Sequence, residues 1–390
     1  MIEIQDLSKC CGCHACAQIC PKECIMMEED QEGFLYPKAD QELCIGCGLC
    51  EKVCPILNPQ KENSLELEAY AAYYLDEEIR LKSSSGGIFS LLAEEILHKE
   101  GVVYGAAMVG VEVKHIRVID KENMAYLRGS KYVQSKIGTI YLDVKKDLQC
   151  DKWVLFTGTP CQIEGLQAFL RRDYERLICM DFICHGVPSP MVWRKYISFR
   201  EKEVQSTTRR ISFRDKHCGW KNYSLSIEFE DKSVYLCNHY QDPFMKAFLY
   251  DLCLRPSCYS CAFKKVNRIS DITVADFWQI EKINAEWNED KGTSLVIIHS
   301  DKGKHLFNAV KERLWHRSVN FNDAIMGNSA MVVSVEKPKA RSAFMRKVHV
   351  HNFERIARKY AREPLTVKRF IKKLLKNIGL LEIVKKVICR

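Results

Sequence analysis

One cysteine pattern occurs twice within the first 55 residues of the chain. The copies are Cys10-x2-Cys13-x2-Cys16-x3-Cys20-Pro21 and Cys44-x2-Cys47-x2-Cys50-x3-Cys54-Pro55. This spacing is the standard example of iron–sulfur ligation, in which the fourth cysteine of each copy binds the cluster of the other copy. The repeat therefore predicts two [4Fe–4S] clusters.

The repeat also predicts which cysteines share a cluster. One set is Cys10, Cys13, Cys16 and Cys54, and the other is Cys44, Cys47, Cys50 and Cys20. A zinc site or a disulfide framework is the weaker interpretation, because zinc usually takes four ligands in two pairs and needs no such repeat. Cys11 and Cys24 fall outside both patterns and receive no predicted role. Residues 1–60 are predicted to form a two-cluster ferredoxin domain, followed by the polar linker Asn58–Glu68.

Length and composition limit the class of protein. The chain has 390 residues, 47% of them hydrophobic, which is enough for two or three domains. It contains no apolar run of 18 residues, and its first residues lack the basic and apolar regions of a signal peptide, so none is expected. Twenty cysteines without export indicate a reducing compartment, so we expect a cytoplasmic protein. Residues 336–390 carry a charge of +13, more than the net +9 of the whole chain.

A βαβ unit is predicted in the middle of the chain. Trp153–Thr157 and Leu177–Ile183 resemble buried strands, and a helix to about Arg172 separates them. Because the carboxyl ends of parallel strands meet at one sheet edge, we expect Cys161 and Cys184 to project there. Farther on, the segments 211–213, 224–229 and 233–237 predict an antiparallel meander, and 302–314 a helix.

Four cysteines of this region are enough for a third cluster. They are Cys161, Cys184 and the pair Cys258-x2-Cys261. Buried cysteines without a metal are an equally good interpretation, because cysteine is often buried. His217 and Cys218 share a loop, where such a pair is more often incidental than metal-binding.

A segment of serine and glycine precedes a predicted helix that ends at Gly101. Free N–H groups at such a helix start favour an anion, here a flavin or nucleotide phosphate. The alternative is N-capping by Ser84 or Ser85. The polar segment Arg128–Ser135 could hold a second anionic group.

The C-terminal tail contains a predicted amphipathic helix, Val367–Ile388. It could lie on an anionic membrane surface or dock on a partner or on the body of the protein, and docking is slightly favoured. No aromatic platform accompanies the basic charge, so nucleic acid is not expected.

Taken together, the chain resembles the coenzyme F420 hydrogenase/dehydrogenase beta-subunit family, with a ferredoxin domain fused in front. The matching stretches are KSSSGGIF (82–89), RGSKYVQS (128–135), FTGTPCQ (156–162), DFICHGVPS (181–189), CYSCAFK (258–264) and RISDITVADFW (268–278). The resemblance implies an FAD-binding domain with its own [4Fe–4S] cluster, ligated by Cys161, Cys184, Cys258 and Cys261. The predicted flavin contacts are Ser83, Ser84, Ser85, Gly86, Gly87, Gly129, Ser130, Lys131, Thr157, Gly158 and Thr159.

The sequence therefore predicts an α+β protein: a ferredoxin domain (1–60), a mixed-sheet FAD and iron–sulfur domain (69–335) and a basic helical tail (336–390). We expect a cytoplasmic oxidoreductase that passes electrons between a flavin-linked hydride carrier, such as a deazaflavin, and the clusters, and then to a partner protein. The tail could hold it at the inner membrane face. Two alternatives are a flavin-free electron-transfer adaptor and a membrane-surface scaffold with structural or sensory clusters. No catalytic acid or base is assigned; His185 and Asp276 are guesses from their motifs.

Overall fold

The fold is taken from a computed structural model that describes residues 1–59, 67–348 and 352–361. The strands are β1 Ile25–Glu29, β2 Leu35–Ala39, β3 Glu68–Tyr74, β4 Val102–Val109, β5 Glu112–Val118, β6 Val154–Gly158, β7 Leu177–Phe182, β8 Thr208–Asp215, β9 Ser224–Phe229, β10 Val234–Asn238, β11 Ile272–Asp276, β12 Ser294–Ile298 and β13 Leu314–Val319. The helices are α1 Ala15–Gln18, α2 Leu49–Lys52, α3 Glu77–Lys82, α4 Ile88–His98, α5 Lys121–Met124, α6 Ile140–Gln149, α7 Pro160–Leu170, α8 Pro190–Val204, α9 Pro243–Leu249, α10 Asp301–Ala309, α11 Phe321–Ile325, α12 Arg341–Val348 and α13 Phe353–Tyr360.

The ferredoxin domain consists of an antiparallel β1–β2 hairpin and two short helices. Each helix begins after the second cysteine of a copy, and the residue before it has a left-handed backbone. That residue is His14 (φ 66°) in the first copy and Gly48 (φ 70°) in the second. A left-handed residue turns the chain sharply, which allows consecutive cysteines to face one point. The two copies of the sequence repeat thus fold alike.

An eight-stranded mixed sheet forms the centre of the body, in the order β13-β3-β12-β11-β7-β6-β4-β5. The neighbours β4, β6, β7 and β11 are parallel, and the outer pairs are antiparallel. The predicted mixed sheet is confirmed, and β6–α7–β7 is the predicted βαβ unit. Helices α4 and α10 cover one face, and α6 and α7 cover the other. Cys11, Cys13 and Ala15 are buried in the same core as α7, so the ferredoxin domain packs directly on that helix.

The predicted meander is confirmed as the antiparallel sheet β8–β9–β10. Its apolar side chains share one core with α8, α9, α12 and α13. Phe344, Phe353 and Ile356 of the last two helices are buried there, although these helices lie in the predicted tail. The predicted helix Val367–Ile388 lies outside the described residues.

The predicted helix over 302–314 is too long. Helix α10 ends at Ala309, and Leu314 opens β13, where it lies opposite Tyr74 of β3. The strand is formed by pairing with a segment far earlier in the chain, which local periodicity does not reveal. In the described part of the chain, none of the helices has the length and apolar character that crossing a lipid bilayer would need.

Candidate metal centre

The first predicted set of cysteines meets beneath helix α7. We call Cys10, Cys13, Cys16 and Cys54 the proximal site. Burial, and next the charges of Cys13, Cys10 and Cys54, raise the pKa of Cys16, so these three cysteines lie close to Cys16. Cys13 and Cys16 are only 8% and 7% exposed. Cys10 and Cys54 are partly exposed, so protein covers most of the proximal site.

The second predicted set meets at the outer end of the ferredoxin domain. We call Cys20, Cys44, Cys47 and Cys50 the distal site, because all four line one small cavity of about 20 Å³. Backbone N–H groups reach its sulfurs: Ile2 donates to Cys50 Sγ (3.3 Å) and Gly46 donates to Cys44 Sγ (3.5 Å). Cys47 is exposed to solvent. The same sequence pattern thus produces one enclosed site and one open site.

The four body cysteines line a third cavity, which we call the body site. Its volume is about 140 Å³. Cys161 is the second residue of α7, held by a capping box between Thr159 and Gln162. Cys184 follows β7, which lies parallel to β6, and Cys258 and Cys261 lie in and just after the 3-10 helix Pro256–Ser260. Three separate chain segments therefore bring four thiols to one place.

The body site is surrounded by cations and apolar side chains. Lys264 Nζ donates to the carbonyls of Cys184 and Ala330, both at 2.8 Å, and Arg268 forms a buried ion pair with Asp181. Burial raises the pKa of Cys258 to about 12 and the pKa of Cys184 well above its usual value. Such thiols stay protonated unless a metal replaces the proton. The negative charge of a cluster with four thiolates would in turn be balanced by the nearby cations.

The donor sets fit iron–sulfur clusters. Within residues 1–59, 67–348 and 352–361, no three His, Cys, Asp or Glu side chains converge closely enough to hold a single metal ion. A cube of four irons and four sulfides needs its four thiolates farther apart than one zinc ion does.

Two cysteines without a predicted role lie against these sites. Cys11 lines the body site, and hydrogen bonds with Cys13 and Cys161 are the main cause of its raised pKa. It therefore lies between a proximal and a body thiol. Cys24 lines the distal site, with its Sγ 3.4 Å from Cys20 Sγ. The only sequence signal for either residue was its closeness to the repeat.

The predicted flavin contacts at the start of α4 hydrogen-bond within the protein. Ser83 Oγ donates to Ile79 O, and Ser85 Oγ donates to Thr293 O. The alternative of N-capping by Ser84 or Ser85 is wrong: the N-cap is Gly87, and no side chain caps the helix. Gly86 is required because a Cβ there would lie 2.6 Å from Ala72 O.

The segment Arg128–Ser135 joins the two other groups of predicted flavin contacts. At one end, Ser130 N donates to Ser84 Oγ (2.6 Å). At the other end, Gln162 Nε2 donates to Ser135 Oγ, while its Oε1 accepts from Thr159 N. Thr157 Oγ1 donates to Tyr104 O, and the flanking Gly158 closes β6. Hydrogen bonds thus link this segment to Ser84 at one end and, through Gln162, to Thr159 at the other.

Lys131 lies within this segment. Lys131 Nζ donates to Leu127 O (2.8 Å) and Arg128 O (3.0 Å), and burial lowers its pKa to about 7. Gly129 beside it has a left-handed backbone and open space around its Cβ position, where the nearest atom is Ser84 Oγ at 4.0 Å. A cation next to an accessible backbone fits an anionic group such as a phosphate.

The guessed catalytic residues both have hydrogen-bond partners within the protein. Asp276 receives two hydrogen bonds from the buried Arg214 and one from Trp220 Nε1. His185 Nε2 lies 2.6 Å from Asp251 Oδ1 at the rim of the body site. His217 and Cys218 are exposed in their loop, away from the three sites.

Comparison with known proteins supports the sequence interpretation. Residues 151–320 match the family described as the C terminus of the coenzyme F420 hydrogenase/dehydrogenase beta subunit, and residues 9–57 match the family described as the 4Fe-4S dicluster domain. No curated protein matches the chain. A chain in a solved structure of the F420-reducing [NiFe] hydrogenase complex from Methanosarcina barkeri aligns with 77% of this chain and 92% of its own length, at 16% identity and a TM-score of 0.46.

The matched segments indicate the general role. The dicluster domain makes this an iron–sulfur electron-transfer protein, and the second segment supports a role associated with oxidoreductases. The chain thus joins an N-terminal 4Fe–4S dicluster domain to a segment that belongs to the coenzyme F420 hydrogenase/dehydrogenase beta-subunit family.

Proposed function

We propose that the protein is an iron–sulfur flavoprotein oxidoreductase with three [4Fe–4S] clusters. The observation that carries the proposal is the convergence of Cys161, Cys184, Cys258 and Cys261 on one cavity. A bound flavin would exchange hydride with a small carrier and single electrons with the clusters. The family match supports a hydride carrier of the deazaflavin class and a redox partner protein in a complex.

The three cysteine sites are arranged in a row. Cys11 lies between Cys161 of the body site and Cys13 of the proximal site. Cys54 of the proximal site follows α2, the short helix that contains Cys50 of the distal site. The row ends at the exposed Cys47, with exposed Leu43 and Ile45 beside it. This order supports electron transfer from the body to a partner that meets the outer end of the ferredoxin domain.

The chain's own residues would orient and shield the reacting groups. Lys131, with the backbone near Gly129, would hold the flavin phosphates. Arg214 fixes the Ser/Gly segment, because its guanidinium donates to Ser84 O (3.2 Å) while Asp276 neutralises its charge.

A flavin-free electron-transfer adaptor is the second candidate. The hydroxyls of Ser83, Ser84 and Ser85 already have protein partners, which supports a structural role for the serine segment. An iron, sulfide and flavin count on anaerobically purified protein separates the two. About twelve irons and one flavin per chain support the oxidoreductase, and about twelve irons without flavin support the adaptor. About eight irons would contradict the third cluster in both.

A Lys131→Gln variant tests the flavin site directly. We expect it to keep its iron and to lose flavin during gel filtration, whereas Lys131→Arg should keep both. Unchanged flavin retention in Lys131→Gln would contradict this placement of the phosphates.

A further inference from the structure

Arg255 is a completely buried cation at the junction of the ferredoxin domain and the body. It has no exposed surface and directly precedes the 3-10 helix that carries Cys258. Its guanidinium carbon lies 4.2 Å from the centre of the Tyr36 ring and 5.4 Å from that of Phe34. An arginine is seldom fully buried without a partner, so this position requires an explanation.

The hydrogen bonds of Arg255 go to uncharged groups. Nε donates to Cys10 O (2.8 Å), Nη1 to Gln134 Oε1 (3.0 Å), and Nη2 to Leu35 O (2.9 Å). Nη2 also points at Cys10 Sγ, 3.7 Å away. A buried charge is strongly unfavourable unless an opposite charge compensates it. Among these hydrogen-bond partners, only the Cys10 sulfur can become negative.

Arg255 lies next to two of the cysteine sites, the proximal site and the body site. A Cβ on Gly12 would lie 2.8 Å from Nη1, so the proximal cysteine loop closes directly over the guanidinium. Arg255 also lines the body site, together with Cys161 and Cys258. The guanidinium therefore faces the proximal site and borders the body site.

We propose that Arg255 is a positioning residue that sets the reduction potential of the proximal cluster and, to a smaller extent, that of the body cluster. This proposal rests on the proposed function, because it requires a cluster at the proximal site and another at the body site. A [4Fe–4S] cube with four thiolates is an anion whose negative charge grows by one on reduction. A buried cation with an N–H group aimed at a ligand sulfur stabilises the reduced form more, and so raises the potential. The same anion supplies the negative charge that the hydrogen-bond partners of the guanidinium lack.

The experiment is a redox titration of the full-length protein, followed by electron paramagnetic resonance, on wild type and variants. In Arg255→Gln we expect the proximal midpoint potential to become more negative, the body potential to shift less in the same direction, and the distal potential to stay constant. Arg255→Lys keeps the charge but loses the forked donors, so its shift should be smaller.

Arg341→Gln is the matched control. Arg341 is also a buried cation between the two domains, but its guanidinium pairs with Glu32 and donates to Leu254 O (2.8 Å). We expect its three potentials to equal those of wild type. An unchanged proximal potential in the Arg255 variants, or an equal shift in Arg341→Gln, would overturn the proposal.

Iron content separates this inference from the function on which it rests. A wild type without a proximal or body cluster contradicts the proposed function itself. If Arg255→Gln does not fold, Arg255→Met, which also removes the charge, is titrated in its place: a negative shift of the proximal potential supports the proposal, and none overturns it.

Discussion

The proximal and distal sites are built from the same sequence pattern and differ in everything around it. Arg255 and α7 enclose the proximal cysteines, whereas the distal cysteines include the exposed Cys47. The ligand pattern decides that a cluster can form, and the surroundings decide its potential and its access to solvent. The second copy is free to face a partner because the first copy is already covered by the body.

Removing one ligand from each site should give the largest contrast. We expect Cys13→Ala and Cys47→Ala each to lose about four irons per chain. Cys13→Ala should also lower the unfolding temperature of the body, because Cys13 shares a core with α7, while Cys47→Ala should leave it almost unchanged. Iron analysis and thermal denaturation measure both effects. Equal unfolding temperatures in the two variants would break the distinction between the sites.

Exposure to air should destroy the distal cluster before the proximal cluster. The distal signal in electron paramagnetic resonance is expected to disappear first, because Cys47 is exposed while Cys13 and Cys16 are nearly inaccessible. Loss of all signals at one rate would show that enclosure by protein does not control attack by oxygen.

A small change in packing should affect the proximal site alone. In Gly165→Ala the new Cβ would lie 2.7 Å from Cys13 Cβ and 3.0 Å from its sulfur. Overpacking of this kind costs about 1–3 kcal/mol of unfolding free energy. Gly46→Ala is the control: its Cβ meets nothing within 4 Å, and only its left-handed backbone costs about 1 kcal/mol. We expect proximal iron to fall in the first variant only.

Glu32→Gln should give the smallest effect. The Glu32 side chain is 26% exposed and forms an ion pair with the buried Arg341. This ion pair joins the ferredoxin hairpin to α12. Leaving this arginine without its carboxylate should reduce the unfolding free energy by about 1–3 kcal/mol, less than for a fully buried pair. Chemical denaturation measures the loss.

Much of this organisation could be predicted from the sequence, because it depends on local spacing. The repeat names its eight cysteines, and the βαβ pattern places Cys161 and Cys184 at one sheet edge. The end of α10 could not be predicted from local spacing, because β13 forms only by pairing with β3. Ser84 and Ser85 have the chemistry of helix caps, but the structure places Gly87 at that position.

The role of Arg255 could not be predicted for a physical reason. Its partners come from Cys10, Leu35 and Gln134, all of which lie far away along the chain. Cys11 acquires its place between two sites in the same way, through the packing of the ferredoxin domain on α7. Spacing within a segment identifies ligands, whereas contacts between distant segments determine what surrounds them.

The close fit between hairpin and body has a consequence for how such a fusion works. Gly33 lies directly against Met191 at the start of α8, and Ser189 donates a hydrogen bond to Glu32 O. Two domains joined only by a tether would meet at a frequency set by the length of the tether. Here direct contacts hold the hairpin against the body, so packing, and not the length of the connection, sets the distance between the proximal and body sites. Lengthening that connection should leave the rate of internal electron transfer unchanged, because transfer across an interface that is already formed does not depend on how often the two domains meet.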